Sequence, residues 1–253
     1  MRRTLLVTTL AAACGGPSTP PAAGPAAGAG PGDHAGHAGH AGHAGHAGHA
    51  GHAHHGGHDV GSGHHRFDDA ERWAKVFDDP ARDAWQKPDH VVALLGLSPG
   101  QTVVDLGAGT GYFVGRLAAA VGPGGTVIPT DVEADMVRYL EERGQREGWA
   151  NVRPALTPMD DPALPATSVD RVLVVDVWHH LGDRQAYAGK LAKALRPGGF
   201  VQVVDFTLDS PHGPPAAMRL APEAIAADLT AAGLRAEIVA DELPHQYVVV
   251  GRR

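Results

Sequence analysis

Val103-Val104-Asp105-Leu106-Gly107-Ala108-Gly109-Thr110-Gly111-Tyr112-Phe113 is the stretch from which the fold can be read. An apolar run with strand character enters it, and three glycines at alternate positions turn it. Phe113, Val114, Leu117, Ala118 and Val121 then leave it with helical spacing. Glycine has no Cβ, so such a bend lets the backbone approach a ligand closely, and the start of the next helix offers free N–H groups. The glycines stand as G-x-G-x-G, with Tyr112 where a dinucleotide fingerprint would need another spacer before its last glycine. That compact spacing leaves less room for a pyrophosphate. Asp105, just ahead of it, suits an ammonium group better than a phosphate.

Outward from this bend the chain alternates. Upstream, residues 66–99 read as amphipathic helix, with Trp73, Val76 and Phe77 on one face. Val91, Val92, Leu94, Leu95 and Leu97 form a second apolar cluster before Ser98-Pro99-Gly100 stops it. Thr102–Asp105 is the first strand. Downstream, strands are expected at Thr126–Thr130, Val152–Leu156, Arg171–Val177 and Phe200–Phe206. Helices over 133–148 and 183–195 separate them, with Met136, Val137 and Leu140, and then Tyr187, Leu191 and Leu195, turned inward. Five apolar strands alternating with helices make parallel βαβ units covered on both faces. Right-handed crossovers make the sheet doubly wound, with its ligand site at the carboxyl ends of the strands. A last helix over 222–232 and two strands at 235–242 and 246–251, joined around Pro244, add an antiparallel hairpin. The expected fold is α/β, a doubly wound, mostly parallel seven-stranded sheet.

Composition sets the limits of the folded part. All of the aromatic residues lie after position 65, while 12 of the 17 histidines lie between His34 and His65. A segment without aromatics and almost without Leu, Ile or Val buries too little apolar surface to offset its ordering entropy. Residues 66–253 are therefore the expected domain, and 14–65 a disordered linker and His-rich tract. Lys plus Arg number 21 against 28 Asp plus Glu, a net charge of −7, which argues against a nucleic-acid partner. Cys14 is the one cysteine, which excludes an internal disulfide framework and a cysteine-built metal site.

The N-terminal residues carry two further signals. Met1-Arg2-Arg3 followed by an uncharged run to Ala13 has the form of a secretory signal over 1–13, too short to span a bilayer. Leu10-Ala11-Ala12-Ala13-Cys14 resembles the lipobox of bacterial lipoproteins. The resemblance implies a lipid anchor at Cys14, the only membrane association expected, and a place in the cell envelope facing the periplasm. A chain that keeps its signal would instead stay in the cytoplasm. After the linker, His34, His37, His40, His43, His46, His49 and His52 recur every third residue. Imidazole suits zinc, copper and nickel. Same-face residues of an extended polyproline chain stand about 9 Å apart, too far for two nitrogens at roughly 2 Å from one metal. Binding needs the chain to loop, giving several weak, interchangeable sites.

From about residue 85 to 251 the chain resembles the class I S-adenosylmethionine-dependent methyltransferases, of the small type without an inserted substrate domain. The likeness rests on ordered motifs. Asp105, Gly107, Ala108, Gly109, Thr110 and Gly111 match the motif that wraps the methionine part of the cofactor. Asp131, with Val132 after it, matches the acidic residue that binds both ribose hydroxyls. Asp160 or Asp161 matches the position contacting the adenine amino group. Asp176-Val177-Trp178-His179-His180 matches the fourth-strand motif lining the transfer site, and Leu195-Arg196-Pro197-Gly198-Gly199 the turn before the fifth strand. The resemblance implies methyl transfer from S-adenosylmethionine to a small-molecule acceptor. Asp131 also stands 20 residues past Gly111, about where a doubly wound fold places its ribose partner.

Methyl transfer is an in-line displacement, so positioning does most of the work, and a hydroxyl or protonated amine nucleophile also needs a base. His179 and His180, just after the fourth strand, and Asp205, at the end of the fifth, are the candidate catalytic residues. Trp85, Tyr112 and Trp178 are placed to wall an apolar acceptor pocket, and the proline-rich segment 207–220 to cover it as a lid. A rival reading is a non-catalytic envelope lipoprotein that binds metal through the His tract. Metabolic labelling with a palmitate analogue is expected to put lipid on the wild-type chain in the membrane fraction and none on Cys14→Ser. An unlabelled, soluble wild-type chain would overturn the anchor at Cys14.

Overall fold

Val103 and Val104 set the layering, because successive strand residues point to opposite faces and both are fully buried. The computed structural model describes residues 67, 69–241 and 243–253. The signal-like start, Cys14, the linker and the His repeat from His34 to His65 lie outside the described residues.

Three short helical segments come first: α1 (Ala70–Phe77), α2 (Asp83–Gln86) and α3 (Pro88–Leu94), with a 3₁₀ turn at Pro80–Arg82. Then follow β1 (Thr102–Leu106), α4 (Val114–Val121), β2 (Thr126–Asp131), α5 (Ala134–Glu147), β3 (Ala155–Leu156), β4 (Val169–Val175), α6 (Arg184–Ala194) and β5 (Leu195–Phe206). The chain closes with α7 (Pro222–Ala231), β6 (Arg235–Val239) and β7 (Gln246–Arg252). The sheet runs in the order β3-β2-β1-β4-β5-β7-β6. The first five strands are parallel; β7 is antiparallel to both β5 and β6. Strand order reverses beside β1, so the crevice between the carboxyl ends of β1 and β4 is the place for a ligand.

Each face of the sheet has its own core. Val103, Leu173, Val204 and Val248 pack with Val91, Leu95, Leu117 and Leu140 on one side. Val104, Val172, Val174 and Val203 pack with Leu191, Ile225 and Leu229 on the other. Alternating side chains therefore bury both surfaces of β1 and β4, which is why these strands read as unbroken apolar runs.

Three local differences from the sequence expectation have physical causes. The third strand shrinks to two residues plus a single bridge between Val127 and Val152, because Pro154 has no N–H to pair. The fourth ends at Val175 rather than Val177, since Asp176 takes a left-handed φ of 60° and leads into a 3₁₀ turn at Trp178–His180. The fifth starts at Leu195: the Arg196–Gly199 turn is a bulge, across which the partners step from Val169–Leu195 to Arg171–Phe200.

The expected lid over 207–220 is stitched to itself. The Arg219 guanidinium donates to the carbonyls of Leu208 at 3.0 Å, Ser210 at 2.7 Å, His212 at 3.1 Å and Pro214 at 2.9 Å. With the Thr207 carbonyl at 3.5 Å, one side chain thus bonds five carbonyls of a segment that forms no sheet. Arg219→Ala is expected to raise amide exchange across 207–218 by tenfold or more, with little change in the exchange of β4. Unchanged loop protection would mean that the stitching does not order the segment.

Candidate functional site

The glycine bend sits where β1 leaves the sheet. Gly107, Gly109 and Gly111 have φ values of 69°, 54° and 92°, a region that side chains other than glycine rarely adopt. Space is also short: a Cβ on Gly107 would lie 2.5 Å from Val177 Cγ2, and one on Gly111 2.7 Å from Leu140 Cδ2. Two hydrogen bonds tie the bend to the end of β2. Ala108 N–H donates to Thr130 O, and Gly109 N–H to Asp131 Oδ2, each at 2.9 Å. Asp131 Oδ1 accepts the Glu133 N–H at 3.0 Å. Burial pushes the Asp131 carboxyl up from its ordinary pKa, and the backbone N–H groups of Glu133, Gly109 and Val132 pull against that rise.

Asp105 lies beneath this bend, 3% exposed, and its Oδ2 has no hydrogen-bond partner among the described residues. Burial pushes its pKa up to about 7; the Arg82 guanidinium opposes the shift and the Asp131 carboxylate adds to it. Thr110 and Thr130 are also buried with unpartnered hydroxyls. Buried polar atoms left open together at one crevice mark a place built for a polar ligand. Val132, beside Asp131, is an exposed apolar residue.

The loop after β3 separates the two aspartates that sequence left paired. Asp161 is committed, taking the Ala163 N–H at 2.8 Å and the Lys190 ammonium at 3.1 Å. Asp160 is exposed and lines a shallow cavity of about 240 Å³ with Met159, Tyr187 and Lys190.

Asp176 and the two histidines stand at the end of β4. Asp176 Oδ1 accepts from Gln246 Nε2 at 2.5 Å and Oδ2 from Arg82 at 3.2 Å, while Gln86 donates to Gln246. Burial pushes the Asp176 pKa up to about 7, with Arg82 opposing. His179 and Asp205 meet: Nδ1 lies 3.0 and 3.1 Å from the two carboxylate oxygens, the side chains 2% and 1% exposed. The Phe206 N–H also donates to Asp205 Oδ1, at 2.8 Å. Holding the Nδ1 proton on the carboxylate leaves Nε2 as the basic nitrogen. The His180 ring packs 4.2 Å from that of His179 and 6.2 Å from that of Phe67.

Of the three expected pocket walls, one is a core residue. Trp178 is fully buried, its indole N–H reaching Asp228 at 3.3 Å among residues of α6 and α7. Tyr112 donates its hydroxyl to Asp83 and lies under the Arg82 guanidinium, 4.4 Å from the ring centre. Trp85 is half-buried and stacks on His212. Sequence reasoning missed Arg82, Gln86 and Gln246, which belong to no motif and meet only because the N-terminal segment crosses the sheet end. Among the described residues, no group of three or more His, Cys, Asp or Glu side chains is arranged to hold a metal ion.

Residues 103–199 match the family described as a methyltransferase domain. The chain is 29% identical over 124 residues to a ubiquinone/menaquinone biosynthesis C-methyltransferase UbiE of Hydrogenovibrio crunogenus, covering 49% of this chain and 48% of that protein. It is 34% identical over 110 residues to a nocamycin O-methyltransferase of Saccharothrix syringae, covering 44% and 39%. The match thus spans less than half the length of either relative. A solved SAM dependent methyltransferase from Aquifex aeolicus is 26% identical with a TM-score of 0.68, over 73% of this chain and 98% of that one.

The Asp105 environment makes a prediction about stability. A buried carboxyl with a pKa of about 7, against an ordinary value of 3.8, binds more protons folded than unfolded. Its contribution to stability is therefore full below about pH 4 and is lost as pH rises to 7. Asp105→Asn is expected to remove that loss, so that its urea midpoint rises relative to wild type between pH 5 and pH 8. Parallel profiles for the two proteins would mean that Asp105 is not held in a desolvated site.

Proposed function

We propose, for a chain whose residues 103–199 are a methyltransferase domain, that it transfers a methyl group from S-adenosylmethionine to a small acceptor at the carboxyl ends of β4 and β5. The observation that carries this reading is the buried, unpartnered Asp105 Oδ2 under a glycine bend too close to its neighbours for side chains. Such a pocket fits a compact ammonium-bearing ligand. When bound, S-adenosylmethionine supplies a sulfonium methyl carbon, whose C–S bond breaks with the electron pair left on sulfur.

The chain's own residues then have distinct tasks. Asp105 takes the ammonium group, and the backbone of Gly107, Ala108, Gly109, Thr110 and Gly111 lies along the methionine part. Asp131 uses one lone pair on each oxygen for backbone N–H groups, and those that remain accept the ribose hydroxyls. Val132 offers an apolar surface to the adenine. Asp160 is the partner for its amino group, since Asp161 is occupied by Lys190. Asp176 borders the reacting groups.

His179 accepts the acceptor's proton at Nε2, and Asp205 orients the ring and stabilises the charge it gains. His180 packs against His179 and keeps its ring in place. The N-terminal sequence supports two additions: tethering at Cys14 in the cell envelope, and weak zinc, copper or nickel binding by the His34–His52 repeat, apart from the transfer chemistry.

Calorimetry of the full chain with S-adenosylmethionine tests the reading. Binding is expected, weakened at least tenfold by Asp131→Ala and by Gly109→Val; no binding to the wild-type protein would reject it. His179→Ala is expected to lower kcat by about 100-fold or more, with cofactor affinity unchanged. Asp205→Asn should lower kcat by a smaller factor and shift its pH profile.

A further inference from the structure

Three segments far apart in the chain bring ring side chains to one place at the carboxyl end of β5. Trp85 comes from α2, His212 from the stitched segment after β5, and His245 from the turn before β7. Trp85 and His212 are stacked, with centroids 4.5 Å apart and planes 13° from parallel. His245 meets His212 edge-on at 5.2 Å, and Phe206 stands 6.1 Å from Trp85. The Arg82 guanidinium lies 5.7 Å from the Trp85 ring centre.

The two imidazoles are half-buried, and their ring nitrogens make no hydrogen bond among the described residues. Elsewhere in the domain imidazole nitrogens are used: the buried His179 binds Asp205, and even the more exposed His90 binds Asp241 at 2.8 Å. Open imidazole nitrogens beside a stacked indole offer hydrogen bonds at the edge of a flat surface. The cluster also adjoins the reacting end of β4, because Arg82, which lies beside the Trp85 ring, donates to Asp176.

We infer that Trp85, His212 and His245 form the acceptor site, and that its ligand is a planar, conjugated ring bearing a hydroxyl group, a phenol or an enol. The inference rests on the transfer reading for the direction of chemistry, but on the rings alone for binding. A flat ring lies against the Trp85–His212 surface, and its hydroxyl oxygen accepts an imidazole N–H. Arg82 favours the oxygen as its proton leaves and disfavours a cationic amine in the same place. A saturated ring of equal size loses the stacking.

The probe is 2-naphthol, with decahydro-2-naphthol as its saturated counterpart, titrated into the full chain with and without S-adenosylhomocysteine. We expect one-to-one binding of 2-naphthol and at least tenfold weaker binding of the saturated alcohol. Trp85→Leu and His212→Leu are each expected to weaken 2-naphthol at least tenfold while leaving S-adenosylmethionine affinity as in wild type. His212 sits on a surface segment, so its variant keeps the test informative should Trp85→Leu fail to fold. Equal binding of the two alcohols, no binding of 2-naphthol, or unchanged affinity in His212→Leu would overturn the assignment. A protein that binds 2-naphthol but not S-adenosylmethionine would instead keep the ring site and lose the transfer reading.

Discussion

The hydrogen bond from Gly109 N–H to the Asp131 carboxylate is the constraint on which the site depends. It joins the bend after β1 to the end of β2, and with the Ala108–Thr130 bond it fixes the backbone over Asp105. The same carboxylate caps the turn into α5 through Glu133. A single side chain thus sets the shape of the crevice and the direction of the helix beside it. The geometry is costly because it desolvates two carboxylates, while glycine at the three positive-φ positions spares the steric cost of the bend. A surrounding sheet with both faces buried supplies the stability that holds it.

Over this crevice the N-terminal segment forms a cover of mixed character. Phe67, Trp73 and Phe77 pack on one another, and the Phe77 ring comes within 3.3 Å of the place a Cβ on Gly109 would take. Polar contacts fasten its outer edge. The Ala70 N–H donates to Asp135 at 2.7 Å, and Arg143 reaches both Asp78 oxygens at 3.0 Å as well as Thr110 O at 2.9 Å. Arg82 then carries a charge into the interior, where it offsets the desolvation of Asp176 and Asp105. Ion pairs near the surface contribute little each, so the cover is held mainly by its rings.

Much of the candidate site's geometry was legible because its residues are local in sequence. Gly107, Gly109 and Gly111 announce a bend whatever the surroundings, and Asp131 follows at the distance one βαβ unit imposes. The His179–Asp205 pair was legible only as two candidates, since a strand end and a turn 26 residues apart meet through the β4–β5 pairing. Trp178 misled for the opposite reason: it sits in the motif, yet the 3₁₀ turn after Asp176 rotates its indole into the core. Nothing about Arg82 or Gln246 is special in sequence; burial beside Asp176 makes them matter.

Alternation of apolar strands and helices by itself determined the doubly wound sheet, its antiparallel end and the glycine bend, because period and turn chemistry are properties of neighbours along the chain. Only the tertiary structure decided which of Asp160 and Asp161 is already committed, which histidine has a carboxylate partner, and which rings stand at the sheet end. Those outcomes depend on burial and on groups brought from distant segments. Desolvation and partner geometry act through space, and no local pattern encodes them.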